Sequence, residues 1–282
     1  MISQPRTALY SWSRYGSTLM ASSKRRLTAH PGMPLIIILI LLGMAPGLAS
    51  TTDPVKEADA LLSSPTLNLG QALYALDLYR QTLPQAHSPQ APLLIRLART
   101  CFVVGELTVA SQRRKYYEEG RNYAKMLIKE QPARVDGYYW LALNLCGLAD
   151  TCGAMEGRKL LPQIMKELKR AQALDSSYDQ AGCHRVLGRI YYEAPAWPFS
   201  VGDLQKSLEQ LTLAVRLAPD NSTNHLYLAE TLVRLQRPEQ ARLELEQVLK
   251  CSSHALPPQG LKEDHREAKK LLARIKGFTG TD

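Results

Sequence analysis

From Asp53 onward apolar residues recur every three to four positions, and strand-like alternation is almost absent. That spacing predicts helices throughout and an all-α chain. Comparing the segments brings out a recurring two-helix phrase. A first helix carries Leu-Ala or Leu-Gly and an apolar residue three further on; a second carries spaced small residues before a proline. The fullest copy has Leu228, Ala229 and Leu232, then Ala241, Leu245 and Val248. Ala229 and Ala241 are small enough to let their two helices cross closely.

Earlier copies read Leu187-Gly188 and Tyr191 with Leu211, Ala214 and Pro219, and Leu141-Ala142 and Leu145 with Leu168 and Ala171. Before them come Leu97-Ala98 and Cys101 with Gly120, Ala124, Leu127 and Pro132, and a second helix with Ala72, Leu76, Tyr79 and Pro84 whose partner falls on Val55 to Leu62. This is the tetratricopeptide pattern, with a usual unit of about 34 residues. The expected architecture is an α-solenoid of degenerate tetratricopeptide-type helix pairs. Three units are longer than the norm, with extra residues between first and second helix around 106–114, 151–160 and 193–204. Such insertions project loops or extended helices from one edge, where specificity is expected. An amphipathic segment over 259–276 has Leu261, Ala268, Leu271, Leu272 and Ile275 on one side, the mark of a capping helix.

The N-terminal region departs from this pattern. Lys24, Arg25 and Arg26 precede the uncharged run Met33 to Met44, and Ala45-Pro46-Gly47-Leu48-Ala49 follows. Residues 1–49 therefore read as a secretory signal, with an uncleaved anchor as the alternative and Met20 as a second candidate start. Residues 50–282 form the expected mature domain, exported to the periplasm. No cysteine follows the cleavage region, so no lipid anchor is expected. The formal charge of +9 shrinks once the five cations up to Arg26 are set aside, leaving 30 basic against 26 acidic residues. A surplus that small, taken as spread along the chain, argues against nucleic acid as a partner.

Cys101, Cys146, Cys152, Cys183 and Cys251 are odd in number; Cys146 and Cys152 could pair locally, and Cys101 lies on an apolar stripe. The histidines are scattered and neither CxxC nor zinc spacing occurs, so no metal or cofactor is expected. A phosphate loop, nucleophile elbow or HExxH is likewise missing from the sequence, which points away from an enzyme.

The segment Pro195 to Asp203 reads as a rigid connection. Pro195 and Pro198 around Trp197 exclude helix, Gly202 permits a turn, and Asp203 is placed to cap the helix from Leu204. Trp197 is expected to pack on the neighbouring repeat, with a direct partner contact as the alternative. Since first helices line the inner wall of such solenoids, Arg96, Arg99, Tyr139, Trp140, Arg185, Arg189, Tyr192, Tyr227 and Glu230 are candidates to face a groove. Arginines interleaved with aromatic rings suit a small acidic or amphipathic ligand. Asn144 either bonds a neighbouring helix or joins that lining.

Taken in order, Gly137 to Leu145, Ala173 to Asp179, His184 to Gly188 and the phrase Ala194 to Asp203 resemble the TatT component family, periplasmic tetratricopeptide-like proteins associated with TRAP transporters. The resemblance spans roughly residues 93–249 and implies docking of a transporter's solute-binding protein and assistance in ligand uptake. The regulators of microtubule dynamics, also helical repeats behind an apolar N-terminal segment, fit the Trp-Pro phrase less well. The other function considered is a general cell-envelope scaffold for peptides or proteins. Homo-oligomerisation is left open.

Overall fold

The computed structural model describes residues 53–85, 90–254 and 260–279; the expected signal lies outside them. The described residues form α1 (Pro54–Leu62), α2 (Leu69–Thr82), α3 (Ala91–Leu107), α4 (Arg113–Glu130), α5 (Val135–Thr151), α6 (Ala154–Leu174), α7 (Tyr178–Glu193), α8 (Leu204–Leu217), α9 (Ser222–Arg234), α10 (Pro238–Val248) and α11 (Gly260–Thr279). Consecutive helices pair into five antiparallel hairpins, each packed on the next, and α11 lies against α9 and α10. No named strand occurs among the described residues. The chain is an all-α solenoid of helix pairs.

Local chemistry sets the helix starts. Asp53 accepts from Val55 N at 2.9 Å ahead of Pro54, and Asn68 and Gln71 form a reciprocal capping box on α2. Asn221 accepts from Asn224 N at 3.1 Å and is itself buried, so it serves as the cap of α9. The seams are built from small residues: Ala98, Ala124, Ala142, Ala171, Ala214, Ala229 and Ala241 are all fully buried. Tyr117 of α4 is held between two of the closest approaches. A Cβ on Gly105 of α3 or on Gly147 of α5 would lie 2.3 or 2.5 Å from its ring, and its hydroxyl donates to buried Glu106 at 2.7 Å.

Two of the three expected insertions are extra helical turns. Thr108–Gln112 is a short connection containing a 3-10 turn, and α5 meets α6 through Cys152 and Gly153 alone. Gly153 adopts φ 75°, which only glycine takes up readily. Ala194–Asp203 is a true loop. All five cysteines are free, including Cys146 and Cys152.

The inner helices depart most from the expected picture. Every residue of α7 from Ala181 to Ile190 is buried, and along α5 from Asp136 to Ala149 only Tyr138 is partly exposed. Enclosed to this degree, α7 is a core element over that span, and α5 reaches a surface chiefly through Tyr138, so neither presents the open inner wall that was expected.

Candidate functional site

The expected inner wall divides into an interior and a rim. Tyr139, Trp140 and Asn144 belong to the interior and cannot line a groove. Trp140 is buried against Phe102 and Tyr139, and its indole N–H donates to Tyr178 Oη at 3.1 Å. Asn144 donates to Ala98 O at 3.1 Å and to Trp140 O at 2.8 Å, so it ties α5 to α3. Arg185 is also internal. It reaches the Asp179 carboxylate at 3.0 Å and Gln180 O at 3.1 Å, while the Tyr139 hydroxyl donates to the same carboxylate. Burial, with Asp179 adding to it, holds the Tyr139 phenol protonated far above its ordinary range.

That cluster holds an unusual backbone. Asp179, Gln180 and Ala181 have φ of 50°, 55° and 62°, a left-handed run without glycine that costs about 1–2 kcal/mol per residue. Arg185 and Asn224 bond the carbonyl of Gln180, and Asn221 donates to its side chain. Polar bonds from α5, α7 and α9 thus fix this left-handed first turn of α7.

Arg189, Tyr192 and Tyr227 do come together, joined by Arg234, which sequence reasoning passed over. The Arg189 guanidinium lies 4.8 Å from the Tyr192 ring and 4.6 Å from the Tyr227 ring, and Arg234 stacks on Tyr192 at 4.6 Å. The order is Arg234, Tyr192, Arg189, Tyr227. Arg189 is buried and pairs with Glu193 and Glu230. Burial opposes its charge, but Glu230 and its neighbours outweigh that and raise its pKa. It is therefore a structural cation, unavailable to a ligand. Tyr192, Arg234 and Glu230 of this cluster reach a cleft of about 280 Å³, lined also by Val233, Glu267, Lys270, Leu271 and Arg274.

At the opposite end of the stack of hairpins, Arg96 is tied down by Asp59 at 2.8 Å, whereas Arg99 is exposed. The Arg96 hydrogen bond holds the Asp59 carboxyl below its ordinary value.

The segment Pro195–Gly202 is different in kind. Its stem is closed by Gly202 N donating to Pro195 O and Asp203 N to Tyr191 O, both at 2.9 Å, and Asp203 caps α8 through Gln205 N and Lys206 N. A Cβ on Gly202 would lie 2.0 Å from Ala194 O, so the stem accepts only glycine there. Phe199 N and Ser200 N both donate to Ala196 O, and Trp197-Pro198 is cis. On this fixed frame Trp197 is 85% and Phe199 79% exposed. The expected packing of Trp197 on a neighbouring repeat does not occur. Phe199 was missed, although it directly follows the second of the two prolines that mark the loop.

These features define a helical-repeat protein with an aromatic loop on its rim. Among solved structures, the crystal structure of a thermophilic TPR protein from Thermus thermophilus superposes with a TM-score of 0.58 at 21% identity, covering 78% of this chain and 97% of that one. At that identity the likeness shows the fold. The family model for regulator of microtubule dynamics protein 1-3 matches residues 55–199, more than half of the chain, and the chain belongs to that family. The Trp-Pro phrase favoured the TatT component family and set this one second; the matched residues take in that phrase as far as Phe199. No curated protein matches.

Proposed function

We propose that this protein is a non-enzymatic scaffold that docks a protein partner on the rim of its solenoid, with the Pro195–Gly202 loop as the principal contact. The observation that carries this reading is the exposure of Trp197 and Phe199 on a loop whose stem is hydrogen-bonded shut. Exposed large rings cost solubility and gain nothing for folding, whereas pre-ordered aromatic side chains are efficient anchors at an interface. Because the loop is already fixed, little ordering entropy is lost when a partner closes over it.

The narrower form of the proposal gives the partner a chemistry and a place: a solute-binding protein of a TRAP-type transporter, met in the periplasm. It is supported by the basic and apolar N-terminal pattern and by the position of the Trp-Pro phrase in the exposed loop. Family membership favours a second form, in which the partner belongs to a microtubule system.

A photo-reactive residue replacing Trp197 in the full chain, expressed in the source cell, separates these forms. Cross-linking to a transporter's solute-binding protein supports the first, and cross-linking to tubulin or a tubulin-associated protein the second. The double variant Trp197→Ala/Phe199→Ala, examined with the photo-reactive residue moved to Ser200, should lose the adduct while keeping its circular dichroism. An adduct that survives this substitution, or no adduct at all, refutes docking by this loop.

A further inference from the structure

The net positive charge of the helical domain is not spread along it. Helices α4 and α6 together carry eleven basic and five acidic residues, whereas the rest of the chain after Arg26 carries nineteen basic and twenty-one acidic. The surplus thus resides on two second helices that flank α5, on the face opposite the inner helices. Between them runs a groove of about 590 Å³. Its floor is Ile128 of α4 with Tyr138 and Leu141 of α5, and its rims carry Lys125 from α4 and Lys166 and Arg170 from α6.

The three rim cations are exposed, and among the described residues none lies within ion-pair distance of a carboxylate. Elsewhere an exposed arginine can be paired along its own helix, as Arg114 is with Glu118. Half-buried Glu167 lies close enough to Lys125 and Lys166 for their charges to act on it, yet burial dominates and raises its carboxyl. The groove therefore sets three cations against one carboxylate. The floor is pre-ordered: the Tyr138 hydroxyl donates to Pro132 O at 2.9 Å, and the Arg170 guanidinium stands 5.7 Å from its ring.

We infer that the α4–α6 groove binds an acidic polypeptide segment, its carboxylates meeting Lys125, Lys166 and Arg170 and an apolar side chain between them resting on Tyr138, Ile128 and Leu141. Charge complementarity selects an anion, and the recessed apolar floor selects a chain that alternates charge with hydrocarbon. A bilayer surface is flat and would leave that floor untouched. A phosphodiester strand would bring charge without an apolar side chain to fill it. Guanidinium and ammonium groups at the rims suit separate carboxylates along an extended backbone.

Fluorescence anisotropy on the full chain tests this with a fluorescein-labelled dodecapeptide of glutamates interrupted by two central leucines. The triple variant Lys125→Glu/Lys166→Glu/Arg170→Glu should weaken binding roughly tenfold or more, the sum expected of three exposed charge pairs. Raising salt from about 50 to 300 mM should weaken the native protein several-fold and the variant hardly at all. Tyr138→Ala should weaken the leucine-bearing peptide and leave an all-glutamate peptide almost unchanged. The Gln triple variant at the same positions gives the same reading should charge reversal unfold the chain. The inference fails if the triple variant binds within twofold of the native protein. It also fails if vesicles with about 30% phosphatidylserine or a DNA duplex of about twenty base pairs bind more tightly than the peptide and depend on the same three residues.

Discussion

Replacing Arg189 by methionine tests whether the stacked cation is an internal brace. Methionine keeps most of the hydrocarbon stem, so the cavity contribution is small. What disappears is the guanidinium between the Tyr192 and Tyr227 rings and the ion pairs to Glu193 and Glu230. The Arg189 and Glu230 side chains are 5% and 9% exposed, so a carboxylate deprived of its cation there is poorly hydrated. Breaking a buried pair from one side costs about 3–5 kcal/mol, against a total stability of about 5–15 kcal/mol. For a domain of this size that is a fall in Tm of roughly 6–20 °C. Urea unfolding followed by far-ultraviolet circular dichroism measures it directly. The double variant Arg189→Met/Glu230→Gln should recover a large part of the loss, because it removes the charge that Arg189 balances. A loss below about 1 kcal/mol, or a double variant no more stable than the single one, refutes the brace and returns Arg189 to the ligand candidates.

Gly147→Ala places a methyl 2.5 Å from the Tyr117 ring and should cost about 1–3 kcal/mol in the same unfolding assay. Gly202→Ala meets Ala194 O in the loop stem; limited proteolysis should then cut near Phe199 while the helices keep their circular dichroism. Trp197→Ala alone should leave stability within about 0.5 kcal/mol of the native value by urea titration, because the ring is solvated. His225 gives a pH prediction. Burial alone would depress its pKa, but the Glu244 hydrogen bond at 2.6 Å and the Pro219 carbonyl outweigh that and raise it. Its contribution is therefore complete below the ordinary imidazole value of 6.5 and is lost as pH rises through the elevated folded value. His225→Gln should flatten the stability profile across that window.

The helix pairs were legible because each seam needs a small residue where two helices cross, and those alanines and glycines stand at fixed offsets from leucines. The cap at Asp203 was legible for a similarly local reason. The inner wall was not. Placing Tyr139, Trp140, Arg185 and Arg189 in a groove assumed that a first helix keeps one wet face, and sequence spacing does not report how many neighbours surround a helix. Residue type did mark Arg189, Tyr192 and Tyr227 as companions, but burial turns that cluster inward. The left-handed run at Asp179–Ala181 had little local signal, since only Asp179 is of a type that tolerates positive φ and the bonds that fix the run come from α5, α7 and α9. The basic groove escaped a reading of total charge, because net charge counts residues without placing them.

The hydrogen bonds at the neck of the Ala194–Asp203 loop close it before its apex begins. Mechanical continuity from α7 to α8 thus runs across the neck, and the six residues beyond it, Ala196 to Val201, bear no weight in the stack. Recognition at the apex and cohesion of the solenoid are separable traits, so new binding preferences can be grafted at Ala196 to Phe199 without renegotiating the fold.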